Sequence, residues 1–175
     1  MIDPHLQHVP RLGRHPSRFR LAGTPVITVM LGSLATALPV IAQSPVMPPF
    51  GLLLLLSWRL LRPELWRTWI GVPLGLFDDI ASGQPIGSAM CLWTIMLIGI
   101  DAIEHRMVWR SYRQDWLIAA IAIIFCIAGG VFFARITGGG DIKLLLVAPQ
   151  MVWTVLLFPF VVRQCARIDR WRVMA

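Results

Sequence analysis

The amino-acid sequence predicts an all-α polytopic membrane protein with six transmembrane helices and both termini in the cytoplasm. Three observations carry that prediction. The chain has 175 residues, of which 57% are hydrophobic and only 14% charged, far too apolar for a soluble domain of this size. Several of its apolar runs approach or reach the ~20 residues that a helix needs to cross a bilayer. Its basic residues border those runs rather than interrupting them. Helices satisfy their own backbone hydrogen bonds in lipid, and the alternating pattern of a membrane β-barrel is absent.

The elements follow in order. Residues 1–20 form a basic cytoplasmic tail with Pro4, Pro10, Gly13 and Pro16, too polar to pack a core of its own. The transmembrane domain occupies residues 21–163, and residues 164–175 form a second basic cytoplasmic tail. The first helix runs from Leu21 to Ala42. A basic tail before an apolar run also describes a signal peptide, but this run exceeds the usual ~7–15-residue core of one, so it reads as a retained helix. The second helix, Pro49 to Leu61, is short, with Arg59 in its last turn. It either crosses by thinning the bilayer and snorkelling Arg59, or forms a re-entrant hairpin with the next helix. The third helix covers Arg67 to Ala81 and ends in the turn Ser82-Gly83-Gln84-Pro85. The fourth covers Ile86 to Ala102, the fifth Trp116 to Ala134 and the sixth Ile142 to Val162.

The charge pattern orients this bundle. Arg11, Arg14, Arg18 and Arg20 precede the first helix; Arg59, Arg62 and Arg67 join the second to the third. Arg106, Arg110 and Arg113 join the fourth to the fifth, and Arg163, Arg167, Arg170 and Arg172 follow the sixth. If six helices cross, these 14 of the 16 basic residues share one side and only Arg135 and Lys143 lie on the other. Positive charge marks the cytoplasmic side. Trp58, Trp66, Trp69, Trp109, Trp116 and Trp171 fall near the same ends, as an interfacial belt would. The net charge of +7 therefore reads as topology and attraction to anionic lipid, not as nucleic-acid binding.

Catalytic, cofactor and metal-binding patterns are missing. Cys91, Cys126 and Cys165 are far apart and read as small packing residues; His5, His8 and His15 lack spaced acidic or cysteine partners. No nucleophile triad, phosphate loop or redox motif appears. Two features stand out instead. In GLFDDIASGQPIGSAM, the adjacent Asp78 and Asp79 interrupt a greasy stretch, where each carboxylate at a helix centre would cost ~2.5–3.5 kcal/mol to insert. Either they merely meet water at a helix end, or Asp78, which shares the small-residue face of its helix while Asp79 is rotated away from it, accepts hydrogen bonds from the following turn or a partner. In TGGGDIK, a glycine-rich loop precedes Asp141. That loop is similar to the signature of intramembrane aspartyl proteases, a chemistry that needs two aspartates within a few ångströms. The other candidate, Asp101, lies across the membrane in this topology, so Asp141 reads as a cap of the sixth helix.

Gly71, Gly75, Asp78 and Ser82 lie on one face of the third helix, as Gly87, Cys91 and Thr94 do on the fourth. The first and fifth helices offer similar faces at Thr28, Gly32 and Ala35, and at Ala122, Cys126 and Gly130. Small faces let helices approach closely in lipid, either within the bundle or against a partner helix.

With PPFGLLLLLSWRLLRPELW and GLFDDIASGQPIGSAM on the page, the stretch from Pro48 to Asp101 resembles the rod shape-determining MreD family of bacteria. The shared element is Gly-Leu-x-Asp followed by Gly-x-Pro-x-Gly, here Gly75, Leu76, Asp78, Gly83, Pro85 and Gly87. The resemblance implies a non-enzymatic scaffold in the bacterial inner membrane, without cofactor or metal. Its implied partners are an MreC-like bitopic protein, an MreB-type actin homologue and a wall polymerase–transpeptidase pair, besides membrane lipids. It also implies a bundle similar to the substrate-binding subunits of energy-coupling-factor transporters, which brings a second reading, a vitamin-binding transporter subunit. Gly71, Gly75, Asp78, Asp79, Gly83, Pro85 and Gly87 are the expected partner-binding or structural residues. The basic tail and the TGGGD loop lie outside the family pattern.

Overall fold

A computed structural model describes residues 18–37, 47–106, 111–138 and 144–174. Among the described residues there are six α-helices: α1 (Arg18–Ala37), α2 (Phe50–Leu61), α3 (Gly71–Ser82), α4 (Ser88–Glu104), α5 (Tyr112–Ile136) and α6 (Leu144–Met174). Short 3-10 turns at Pro63–Leu65 and Thr68–Ile70 link α2 to α3. Two helices, Tyr112–Ile136 and the Leu146–Trp171 part of α6, are long and apolar enough to cross a membrane.

The helices close a ring. α1 packs on α2 and α3, α3 on α4, α4 on α5, α5 on α6, and α6 back on α2, while α2 also reaches across to α5. Consecutive helices alternate in direction, which gives the ring two ends. One end gathers Arg59, Arg62, Arg106, Arg113 and the last turns of α6; it is called the arginine end here. The other gathers Asp78, Asp79, the start of α2 and the start of α6, and is the aspartate end.

α2 explains its own shortness. Its 12 residues span only ~18 Å at 1.5 Å per residue. The segment FGLLLLLSWRLL is apolar on every side, as a helix surrounded by protein must be. Gly51, Leu52, Leu53 and every residue from Leu55 to Leu60 are buried. Cα–Cβ crowding at Gly51 and Gly32 is absent because neither has a side chain. A Cβ on Gly32 would approach Leu54 Cδ1 to 2.6 Å. The Trp58 indole Nε1 donates to Thr28 Oγ1 at 2.9 Å, and Thr28 Oγ1 donates to Pro25 O at 2.8 Å. These bonds fix α1 against α2 and make α1 part of the bundle.

Several expected boundaries shift. α3 begins at Gly71 rather than Arg67, because a 3-10 turn precedes it and Pro73 suits only a first helical turn. α6 does not stop at Val162. It runs as one helix to Met174 despite Pro149 and Pro159, so the segment read as a C-terminal tail is helical up to residue 174. Two tryptophans leave the expected interfacial belt: Trp58 and Trp66 are buried in the core, whereas Trp69 and Trp171 are exposed. The cysteines are all unpaired, with Cys126 and Cys165 buried and Cys91 exposed.

Candidate functional site

The geometry of the site starts from one turn. α3 ends where Gly83 adopts the left-handed conformation at φ 67°, and α4 starts after Gly87 at φ 98°. Both angles are strained for any residue with a Cβ, which accounts for glycine at each. Between them, Pro85 accepts a hydrogen bond at its carbonyl from Ser88 N at 3.0 Å. The chain thereby reverses within five residues, 83–87, and the start of α4 is brought back against the last turn of α3.

Asp79 occupies that junction. Its carboxylate accepts from Gly87 N at 2.8 Å, Ala89 N at 2.8 Å, Ser88 Oγ at 2.9 Å and Met90 N at 3.4 Å. These are the N–H groups that a helix start leaves without partners, and the anion also meets the positive end of the helix dipole. Asp79 thus caps α4 from the preceding helix. It is 1% exposed. Of the two readings of the pair, water at a helix end does not describe Asp79, because the tight turn folds α4 over it, and the hydrogen bonds expected at Asp78 from the following turn fall on Asp79 instead.

Asp78 points elsewhere. It is 8% exposed and stands beside the Ser33 hydroxyl of α1. A Cβ on Gly51 would collide with Ser33 Oγ and come within 2.9 Å of Asp78 Oδ1, so Gly51 is what lets α1, α2 and α3 meet there. The main-chain carbonyl of Asp78 accepts a hydrogen bond from Ser82 Oγ at 2.6 Å. Asp78 also lines a cavity of about 290 Å³ that opens between α2, α4, α5 and α6.

The glycine face of α3 is filled by the chain itself. A Cβ on Gly75 would lie 2.6 Å from the Met90 Cα and N, and one on Gly71 would lie 3.0 Å from Thr94 N. Gly71 and Gly75 therefore bring the backbones of α3 and α4 together, as small residues do between helices in lipid. Of the two uses that a small face allows, packing within the bundle is the one that α4 makes of Gly71 and Gly75. On α4, Cys91 is exposed.

Sequence reasoning missed the arginine end. Arg59, 2% exposed, pairs with Asp101 at 3.0 Å and with Glu104 at 2.8 Å. Arg62 pairs with Asp169 at 3.0 Å and donates to it through Nε at 3.1 Å. His105 Nε2 lies 3.5 Å from Asp101. These contacts fasten the end of α2 to the ends of α4 and α6, so Arg59 does not snorkel to water. The signal was present: an arginine inside an apolar helix, and two acids three residues apart in DAIE on the helix that ends on the same side.

Asp101 is thus committed to an ion pair. Thr137, after the far end of α5, lies ~37 Å of helix away from the start of α5 near Asp101, at 1.5 Å per residue. Asp141 and the rest of the TGGGD loop lie outside the described residues. Among the described residues no group of three or more His, Cys, Asp or Glu could hold a metal ion.

The sequence as a whole matches the family model for rod shape-determining protein MreD over residues 18–166. The chain belongs to the MreD family. No curated protein and no solved structure matches it. MreD-family membership gives the chain a role in rod shape determination, within the shape system that MreB, MreC and MreD form, and makes it a membrane protein. The residues of the MreD resemblance, Gly75, Asp78, Gly83, Pro85 and Gly87, come together at the α3–α4 reversal, with Asp79 at its centre.

Proposed function

We propose that this chain is a non-enzymatic, multi-pass scaffold of the inner membrane that holds wall-elongation proteins together and so maintains cell shape. The observation that carries the reading is the family match across residues 18–166. The geometry supports it in kind: the polar groups of the motif serve a cap and a turn, and ion pairs join helices at the opposite end, the work of a rigid body. The charge pattern favours a cytoplasmic arginine end, and with it both termini in the cytoplasm. A bundle similar to transporter substrate-binding subunits remains part of the proposal and rests on the resemblance alone.

The proposed partners are a bitopic MreC-like protein, an MreB-type actin homologue acting directly or through it, and a wall polymerase with its transpeptidase. With the α3 glycine face occupied, a partner helix has the Cys91 side of α4 and the exposed apolar faces of α5 and α6 available. On α6 those faces carry Leu146, Val152, Trp153, Leu156 and Phe160. Depletion of the protein in its own bacterium tests the reading, with cell width and the sites of new wall insertion as readouts. Rounded, swollen cells with dispersed insertion are expected. Normal shape, with growth rescued by a supplied vitamin, would replace the scaffold with a transporter subunit.

A further inference from the structure

We propose that the cavity at the aspartate end binds a ligand carrying a primary ammonium group on an apolar body. The proposal does not depend on the scaffold reading. The cavity, of about 290 Å³, is close to the lower end of small-molecule sites, ~300–1,000 Å³. Most of its wall is apolar, with Leu92, Trp93 and Ile127 among the lining residues. Three polar side chains converge on it from three places in the chain: Asp78 at the end of α3, Gln84 in the reversal and Gln150 in α6.

Each of these groups can present an oxygen acceptor. Gln150 Nε2 already donates to Met47 O at 2.7 Å, which leaves its amide oxygen to accept. Gln84 Oε1 lies on the cavity side, 4.0 Å from a Cβ built on Gly130. The Asp78 carboxylate is buried, and among the described residues no basic side chain forms an ion pair with it. A buried carboxyl is costly to ionise without a cation, and an ammonium placed beside it offsets that cost. The adjacent Asp79 meets that cost with four donors; Asp78 has the Ser33 hydroxyl beside it and open space on its other side. An ammonium carries three N–H donors and a positive charge, matching one carboxylate and two amide oxygens. The ring of Trp93 adds aromatic surface that attracts a cation, and the apolar wall takes the carbon body.

Such chemistry has two sources at a membrane: the amine of a phosphatidylethanolamine headgroup, or a free amphiphilic amine. The full chain in phosphatidylcholine nanodiscs is titrated with octylammonium and, as the neutral control, octanol. Octylammonium is expected to bind at least tenfold tighter than octanol. Asp78→Asn should reduce that preference below threefold. Gly130→Leu places a side chain where a Cβ meets only Gln84 Oε1, and should weaken octylammonium at least tenfold while the helical content stays unchanged. Repeating the titration in phosphatidylethanolamine discs separates the sources. A tenfold or greater loss of apparent affinity identifies the headgroup as occupant; unchanged affinity identifies a free amine. Equal binding of octanol and octylammonium, an unaltered preference in Asp78→Asn, or undiminished octylammonium affinity in Gly130→Leu overturns the proposal.

Discussion

The two ends of this bundle handle buried charge in opposite ways. At the arginine end, acid meets base across helices: Arg59 with Asp101 and Glu104, Arg62 with Asp169. At the aspartate end, Asp79 is satisfied by main-chain N–H groups and a serine, and Asp78 faces a cavity. The first arrangement ties together helices distant in sequence. The second is local, made within one helical hairpin. Charge can thus secure tertiary packing at one end of a membrane bundle and a secondary-structure boundary at the other.

The contrast can be broken from the arginine end first. Arg59 is buried while Asp101 is 44% exposed, so the consequences of removing each partner are unequal. Asp101→Asn with Glu104→Gln strands a buried cation and should destabilise by ~3–5 kcal/mol. Arg59→Met leaves acids that can reach water and should cost clearly less, on the order of 1–2 kcal/mol, the low side of one lost charged hydrogen bond. Thermal or denaturant unfolding in detergent reads both, and the reverse order would refute the assignment of Arg59 as the buried member.

At the aspartate end, Asp79→Ala removes the acceptor for four donors and should cost about 2–3 kcal/mol, at the upper range for a cap and for hydrogen bonds to a charged group. Hydrogen exchange should then rise selectively in the first turn of α4. Exchange that is raised equally throughout the bundle would mean that Asp79 is not a local cap. Gly75→Ala should cost about 1–3 kcal/mol, because the new Cβ meets the backbone at Met90, which cannot swing aside. A cysteine pair across α3 and α4 that still crosslinks at the wild-type rate in that variant would count against the close approach. The smallest effect is expected at Asp169→Asn. Arg62 is 44% exposed and can turn to water when its buried partner loses its charge, so this change should cost ~0–1 kcal/mol, whereas Arg62→Ala strands the 8%-exposed Asp169 and should cost more.

Much of this arrangement was legible in the sequence, for reasons that can be traced. Apolar run lengths fixed six helices because each helix must bury or immerse a continuous surface. The end of α2 at Leu61 follows directly from Pro63. Gly83 and Gly87 marked the reversal because only glycine adopts those angles at little cost. What could not be read was partnership over distance. Nothing local tells Arg59 that Asp101 will stand beside it, or that Trp58 turns inward to Thr28 rather than outward to an interface. The glycine face of α3 was found, but its occupant was not: small residues at helical spacing reveal that something packs closely, not which helix does. For Asp79, helical angle placed it off that face, yet only the reversal shows that this direction leads to the start of α4.

The cap on α4 bears on how the chain is made. α3 is short and ends in two carboxylates, which makes it a poor candidate to enter lipid by itself. The donors that shelter Asp79 lie only 8–11 residues later in the chain. A nascent chain therefore needs little further synthesis before the anion has its shelter, and α3 with α4 should leave the insertion channel as one hairpin rather than one after the other. A chain ending at Gly83 and carried clear of the ribosome by a polar linker should leave α3 outside the bilayer, and one ending beyond α4 on the same linker should have both helices within it. On that account, the short loop between them sets the order of events at the ribosome, and its two glycines are as much instructions for assembly as parts of the finished protein.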